Sequence, residues 1–153
     1  MYIETSIVSY LVARPSRDPM MAERQRQTRD WWENRRADFR LFTSGTTFAE
    51  ARRGEVFMAR SRVTALAGIP IIPANRGIVA LAKALVAGGP LPVSAKADAY
   101  HIATAAVGGL DYLLTWNCRH IANASMYRRC EQVCRDHGAV LPILCTPDTL
   151  LRS

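Results

Sequence analysis

The chain has 153 residues, 49% of them hydrophobic and 22% charged, which suits one globular domain with a sizeable core and excludes a disordered chain. A net charge of +7 and a pI of about 9.7 favour polyanionic partners: nucleic acid, an acidic protein or an anionic membrane surface. No stretch approaches the roughly 18 uninterrupted apolar residues of a membrane span, and the opening lacks the parts of a signal peptide, so a cytoplasmic protein is expected.

Tyr2-Ile3-Glu4 reads as a very short first strand, and Thr5 or Ser6 can cap a helix carrying Ile7, Tyr10 and Leu11. Arg14-Pro15-Ser16 breaks that pattern, and a long polar helix follows from Pro19 to Ala37. Phe39 to Thr43 alternates as a second strand, Ser44 to Thr47 forms a turn and cap, and helices follow through Phe48-Ala49-Glu50 and from Val56 to Leu66. Ile69 to Ile72 is a third strand, and Ile78 to Ala87 a buried helix ended by Gly88-Gly89-Pro90. Ser94 is expected to cap a helix from Ala95 to Val107 that Gly108-Gly109 closes. Asp111 to Thr115 is the clearest strand, with a short helix around Arg119-His120-Ile121 after it. Val140 to Leu144 is the last strand, and Thr146-Pro147-Asp148 opens a terminal helix. This alternation predicts α/β architecture, with a mostly parallel central sheet covered by helices on both faces, in a single domain over residues 1–153.

In such sheets, sites form beyond the carboxyl ends of the strands. Glu4 closes the first strand, Glu50 lies in the helix after the second, Asp98 lies in the first turn of the helix after Ser94, and Asn117 follows the fourth strand. Asp111 starts its strand and belongs to the opposite edge. A first-turn acid such as Asp98 also complements the helix dipole. Glu4 has no such explanation, because an ionised group at the end of a central strand is costly unless it is paired or binds a metal. Three carboxylates and an amide form an oxygen-only set suited to Mg²⁺ or Mn²⁺ rather than zinc. Basic residues around it (Arg24, Arg26, Arg29, Arg35 and Arg36, then Arg52, Arg53, Arg60 and Arg62) could hold an RNA backbone or simply form solvated helix faces. The four cysteines, Cys118, Cys130, Cys134 and Cys145, are expected to be free thiols, since no second pair completes a zinc site.

The run Y-I-E-T-S-I-V-S-Y-L from Tyr2 to Leu11 resembles the opening of PIN domains, where the acid is usually Asp. K-A-D-A-Y-H-I-A-T-A from Lys96 to Ala105 resembles their D-A-x-x-I-A-x-A helix, and D-Y-L-L-T-W-N-C-R-H-I from Asp111 to Ile121 their final strand and acidic turn. The resemblance covers nearly the whole chain and is nearest to single-domain VapC-like toxins of type II toxin–antitoxin pairs. It implies a Rossmann-like α/β/α fold, Mg²⁺-dependent endoribonuclease activity, homodimerisation and inhibition by an antitoxin whose tail fills the acidic groove.

Carried over by position, the resemblance makes Glu4, Glu50, Asp98 and Asn117 the catalytic and metal-binding set, supported by Ser6 and Thr115. Glu4 and Asn117 depart from the usual aspartates: the first lengthens a ligand, the second removes a charge. The expected reaction is in-line hydrolysis of RNA to a 5′-phosphate and a 3′-hydroxyl. His101, three residues after Asp98, could orient that carboxylate or touch phosphate, and His120 stands likewise to Asn117; both also fit as structural histidines. Trp116 adjoins Asn117 and could stack on a base, while Trp31 and Trp32 suit a core or a dimer contact. A catalytically degraded module that binds RNA or protein without cleavage is the alternative. A haloacid-dehalogenase-type phosphatase is set aside, because E-T-S stands where D-x-D is needed.

Overall fold

The structure is a computed structural model describing residues 1–151; the last two residues of the expected domain lie outside that range. Five short strands alternate with helices: β1 (Tyr2–Ile3), α1 (Thr5–Val12), α2 (Pro19–Asn34), β2 (Thr43–Ser44), α3 (Gly45–Ala51), α4 (Val56–Leu66), β3 (Ile71–Ile72), α5 (Arg76–Val86), α6 (Lys96–Val107), β4 (Tyr112–Leu114), α7 (Ala124–Asp136), β5 (Ile143–Cys145) and α8 (Pro147–Leu151). β1 pairs with β4, β4 with β5 and β2 with β3, all in parallel. A parallel bridge between Tyr2 and Phe42 joins the two ladders, giving the order β3-β2-β1-β4-β5.

Strand alternation divides the core in two. Tyr2, Leu113 and Leu144 pack with Ile78, Leu81, Leu85, Ile102 and Cys134 from α5, α6 and α7. Their strand neighbours Ile3, Leu114 and Cys145 pack with Ile7, Val8, Trp31 and Leu66 from α1, α2 and α4. Successive residues of a strand point to opposite faces, so the steps Tyr2 to Ile3, Leu113 to Leu114 and Leu144 to Cys145 each feed both cores.

Side-chain caps fix several helix starts. Asp18 accepts from the Met21 N–H at 2.8 Å with Pro19 at the first helical position, and Asn75 accepts from Ile78 at 2.9 Å. α6 ends as expected: Leu110 N–H reaches the Ala105 carbonyl at 3.0 Å and Gly109 N–H the Ala106 carbonyl at 3.1 Å, with Gly109 at φ +64°. Its start differs from expectation. Ser94 sits inside a 3₁₀ turn, Val93–Ala95, and the N-cap residue Ala95 offers no side-chain cap.

Two other local differences have physical causes. Residues 118–121 form a hydrogen-bonded turn rather than a short helix, because the Asn117 carbonyl takes both the Ile121 and Ala122 N–H groups and its side chain takes that of His120. The long polar helix stops at Asn34, with a 3₁₀ turn at Arg36–Asp38 before Phe39. The helix α7 has no counterpart in the sequence reading; Cys130 and Cys134 supply its buried face. The four cysteines are unpaired, with Cys118 alone exposed, and burial pushes the Cys130 thiol up to about 11 and those of Cys134 and Cys145 up to about 12. Among the described residues, no helix is long and apolar enough to cross a membrane.

Candidate metal centre

The carboxyl edge of the sheet carries the polar residues. Strand β1 ends at Ile3, and Glu4 becomes the N-cap of α1. Its Oε2 accepts from the Ser6 N–H at 3.0 Å, from the Ser6 hydroxyl, and from the Thr115 hydroxyl at 2.8 Å. Glu4 is only 6% exposed, and three donors on one oxygen explain how its charge is tolerated. Its other oxygen, Oε1, takes no hydrogen bond from these groups and lies 3.9 Å from His101 Nε2.

His101 is wholly buried in α6, between the end of β1 and α3. Its Nδ1 meets the Tyr2 hydroxyl at 2.8 Å, and its Nε2 meets Glu50 Oε2 at 2.9 Å. Glu50 Oε2 also accepts from the Thr5 hydroxyl. Burial pushes the His101 imidazolium down, but the Tyr2 hydroxyl, the hydrogen bond to Glu50 and the charges of Glu4 and Glu50 outweigh it, raising its pKa from 6.5 to about 10. At Glu50 burial raises the carboxyl, and the His101 and Thr5 hydrogen bonds with the nearby His101 and Arg53 charges outweigh it, so the net shift is downward.

Asp98, in the first turn of α6, is held by two donors. Asn117 Nδ2 donates to Oδ1 at 2.8 Å, and His120 Nδ1 meets Oδ2 at 2.8 Å. Asn117 is itself fixed, its Oδ1 accepting the His120 N–H at 3.0 Å and its N–H donating to Thr115 Oγ1 at 2.9 Å. Because Thr115 also donates to Glu4, a continuous hydrogen-bond chain runs Glu4–Thr115–Asn117–Asp98–His120. Ser6 closes it on the other side by accepting the Trp116 N–H at 2.8 Å. Asp111 stands apart, near the Met1 amino group at the opposite edge of the sheet.

The four residues singled out in the sequence fall into two adjoining hydrogen-bond groups, Glu4, Ser6, Thr115, Asn117 and Asp98 in one and Glu50 with His101 in the other, which approach each other at 3.9 Å between His101 Nε2 and Glu4 Oε1. The compact donor group is narrower. Among the described residues, Glu4, Glu50 and His101 each offer one ligand atom, all within 4.8 Å of one another. No family model matches this chain, and neither does any curated protein or solved structure.

The residues fit a divalent cation on donor chemistry. Two carboxylates converge, and the Oε1 of Glu4 takes no hydrogen bond from Ser6 or Thr115 and is open to a ligand. The set differs from the oxygen-only one expected, because it includes an imidazole. His101 faces Glu50 and Glu4 rather than Asp98; the histidine on Asp98 is His120. His120 three residues after Asn117 was the available signal. Spacing along α6 could not reveal that His101 points across β1 to Tyr2.

Trp116 is corrected. It is 8% exposed, with its indole N–H donated to Thr28 at 2.7 Å and its ring packed near Tyr10, so it offers no free face for a base. Trp31 is a core residue, and Trp32 lies under Arg36. Several of the clustered arginines are tied down: Arg24 lies over Trp116, Arg26 pairs with Glu23, Arg29 donates to the Ala13 carbonyl, Arg52 lies over Phe48 and Arg62 donates to the Ala51 carbonyl.

Proposed function

We propose that this chain is a PIN-like endoribonuclease, with a Rossmann-like α/β/α sandwich, that hydrolyses RNA phosphodiester bonds with Mg²⁺ or Mn²⁺ and acts as the VapC-like toxin of a type II toxin–antitoxin pair. The observation that carries the reading is the convergence of Glu4, Glu50, Asp98 and Asn117, distant in sequence, in two adjoining hydrogen-bond groups, with Glu4 buried and the others half-buried, at the carboxyl edge of a parallel sheet. The positive net charge of the chain supports a polyanionic substrate. A homodimer and an antitoxin partner rest on the sequence resemblance alone, and a cytoplasmic location is part of the same proposal.

Glu4 and Glu50 would hold the cation at the centre, with Asp98 at its rim. A bound divalent ion supplies a Lewis acid for a phosphate oxygen and lowers the pKa of a water. Ser6 and Thr115 lock one oxygen of Glu4, so that the other is held 3.9 Å from His101 Nε2 without reorganising. Glu50 would be placed to take the attacking water's proton through Oε1, the oxygen that Thr5 and His101 leave unengaged. Asn117 and His120 orient Asp98.

The test is incubation of single-stranded RNA with the protein in Mg²⁺, Mn²⁺ or EDTA, with product ends read by mass spectrometry. The reading predicts 5′-phosphate products with metal and none in EDTA. Equal cleavage in EDTA, or cyclic-phosphate ends, contradicts it. A second reading, a module that binds RNA or protein without cutting, draws on Asn117: as an amide it satisfies Asp98 without any cation. Tight RNA binding with no cleavage under any metal favours that reading.

A further inference from the structure

We infer that His101 is itself a metal ligand through Nε2, making this a mixed nitrogen–oxygen centre that takes Mn²⁺ or another first-row transition ion in preference to Mg²⁺. The inference rests on the metal-centre reading above and adds a ligand and an ion class to it.

The first observation is the orientation of the ring. Tyr2 lies on the Nδ1 side at 2.8 Å, and its hydroxyl also meets Ser44 Oγ at 2.6 Å and Thr47 Oγ1 at 3.1 Å. A phenol has one proton to give. If it goes to Ser44, the phenolic oxygen accepts from Nδ1–H, and this assignment from the network leaves Nε2 as the nitrogen available to a metal. Ligating histidines commonly donate their other N–H in this way, which fixes both tautomer and ring plane.

The second observation is what Nε2 faces. Glu50 Oε2 is 2.9 Å away and Glu4 Oε1 is 3.9 Å away. Glu4 Oε2 takes three hydrogen bonds while Oε1 takes none of these, so one oxygen of a largely buried carboxylate is left open to a ligand. A cation between these atoms gives Oε1 its missing partner. On binding, the Nε2–H bond to Glu50 is exchanged for a nitrogen–metal bond, the proton leaves to solvent, and the Nδ1 bond to Tyr2 stays. An imidazole nitrogen favours first-row transition ions, Mn²⁺ least among them, over Mg²⁺, which prefers oxygen and retains its waters.

The experiment adds Mn²⁺ alone to the full chain and reads the bound ion by pulsed electron paramagnetic resonance, with calorimetry for affinity. A directly bound imidazole gives ¹⁴N coupling. The coupling is expected in wild type and in His120→Gln, and is lost in His101→Gln. Tyr2→Phe should keep the coupling but bind about 10- to 100-fold more weakly, as loss of a partner behind a ligand does. Mn²⁺ should bind wild type more tightly than Mg²⁺, with the gap closing in His101→Gln. Bound Mn²⁺ without ¹⁴N coupling in wild type overturns the inference, as does coupling that survives in His101→Gln or an absence of Mn²⁺ binding at millimolar concentration. A wild-type spectrum without ¹⁴N coupling overturns the inference even if a variant fails to fold, and the paired His101→Gln and His120→Gln spectra assign any coupling that is seen. Nitrogen-ligated Mn²⁺ in a protein that never cuts RNA would support the inference and sink the ribonuclease reading; RNA cleavage with a nitrogen-free ion would do the reverse.

Discussion

Asn117 and Asp98 meet side chain to side chain, the amide Nδ2 donating to the carboxylate Oδ1 at 2.8 Å. An aspartate in place of Asn117 would bring a second carboxylate against the first, with no donor between them. Like charges this close disfavour the ionised pair unless a proton or a cation intervenes. Asn117→Asp should therefore cost the metal-free protein about 1–3 kcal/mol, the range for losing a hydrogen bond to a charged group. It should also increase the stabilisation gained from Mn²⁺. Urea unfolding in EDTA and in Mn²⁺ checks both, and equal effects in the two buffers would refute the pairing argument.

Thr115 links the two halves of the network, donating to Glu4 and accepting from the Asn117 N–H. It is wholly buried, so Thr115→Val leaves one donor and one acceptor short. The expected loss is about 1–3 kcal/mol of stability, together with a roughly 10- to 100-fold weaker metal affinity. Unchanged metal affinity by calorimetry would show that Glu4 does not depend on this contact.

The metal-free protein should have a defined pH optimum of stability. His101 is raised from 6.5 to about 10 in the fold, so folding binds a proton between those values and stability falls as pH rises from about 6.5 to 10. Glu50 is lowered from 4.5, so its contribution is present above that pH and fades as pH drops below it. Thermal unfolding in EDTA across this range should give a plateau between the two windows, and His101→Gln should remove the alkaline decline. An alkaline decline unchanged in His101→Gln would assign it to another group.

The thiols offer an independent check on burial. Cys130, Cys134 and Cys145 are buried with raised pKa values, and Cys118 is exposed. The thiolate is the reactive species. A neutral thiol reagent at pH 7.5 should modify Cys118 first in the native protein, with the other three following only on unfolding. Mass spectrometry of the labelled peptides reads this directly, and fast labelling of Cys134 would contradict the packing of α7.

The sequence makes the alternation of strands and helices legible, because its short apolar runs are punctuated by glycine, proline and capping residues such as Ser44 and Asp18. Helix α7 is hidden for a specific reason. Most of its residues are polar or charged, and the residues it buries, Cys130 and Cys134, are not the large apolar side chains that mark a helix face, although they serve here as small apolar ones. At the site, Glu4 and Asn117 are legible because each follows a strand, Asp98 because it opens a helix, and Glu50 because it lies on the short helix after the second strand. The central place of His101 is not, since it depends on α6 crossing β1 closely enough for the ring to reach Tyr2 and Glu50. Trp116 shows the same limit: its place beside Asn117 says nothing about Thr28, which binds its indole from α2.

The most direct measurement is the single-turnover rate of cleavage of a single-stranded RNA in Mn²⁺ by wild type, Glu4→Gln and Asp98→Asn, each shown to be folded by circular dichroism. The account predicts metal-dependent cutting by wild type and a loss of about 100-fold or more in both variants, the scale of removing one preorganised charge-stabilising group. Folded variants that cut as fast as wild type would contradict it.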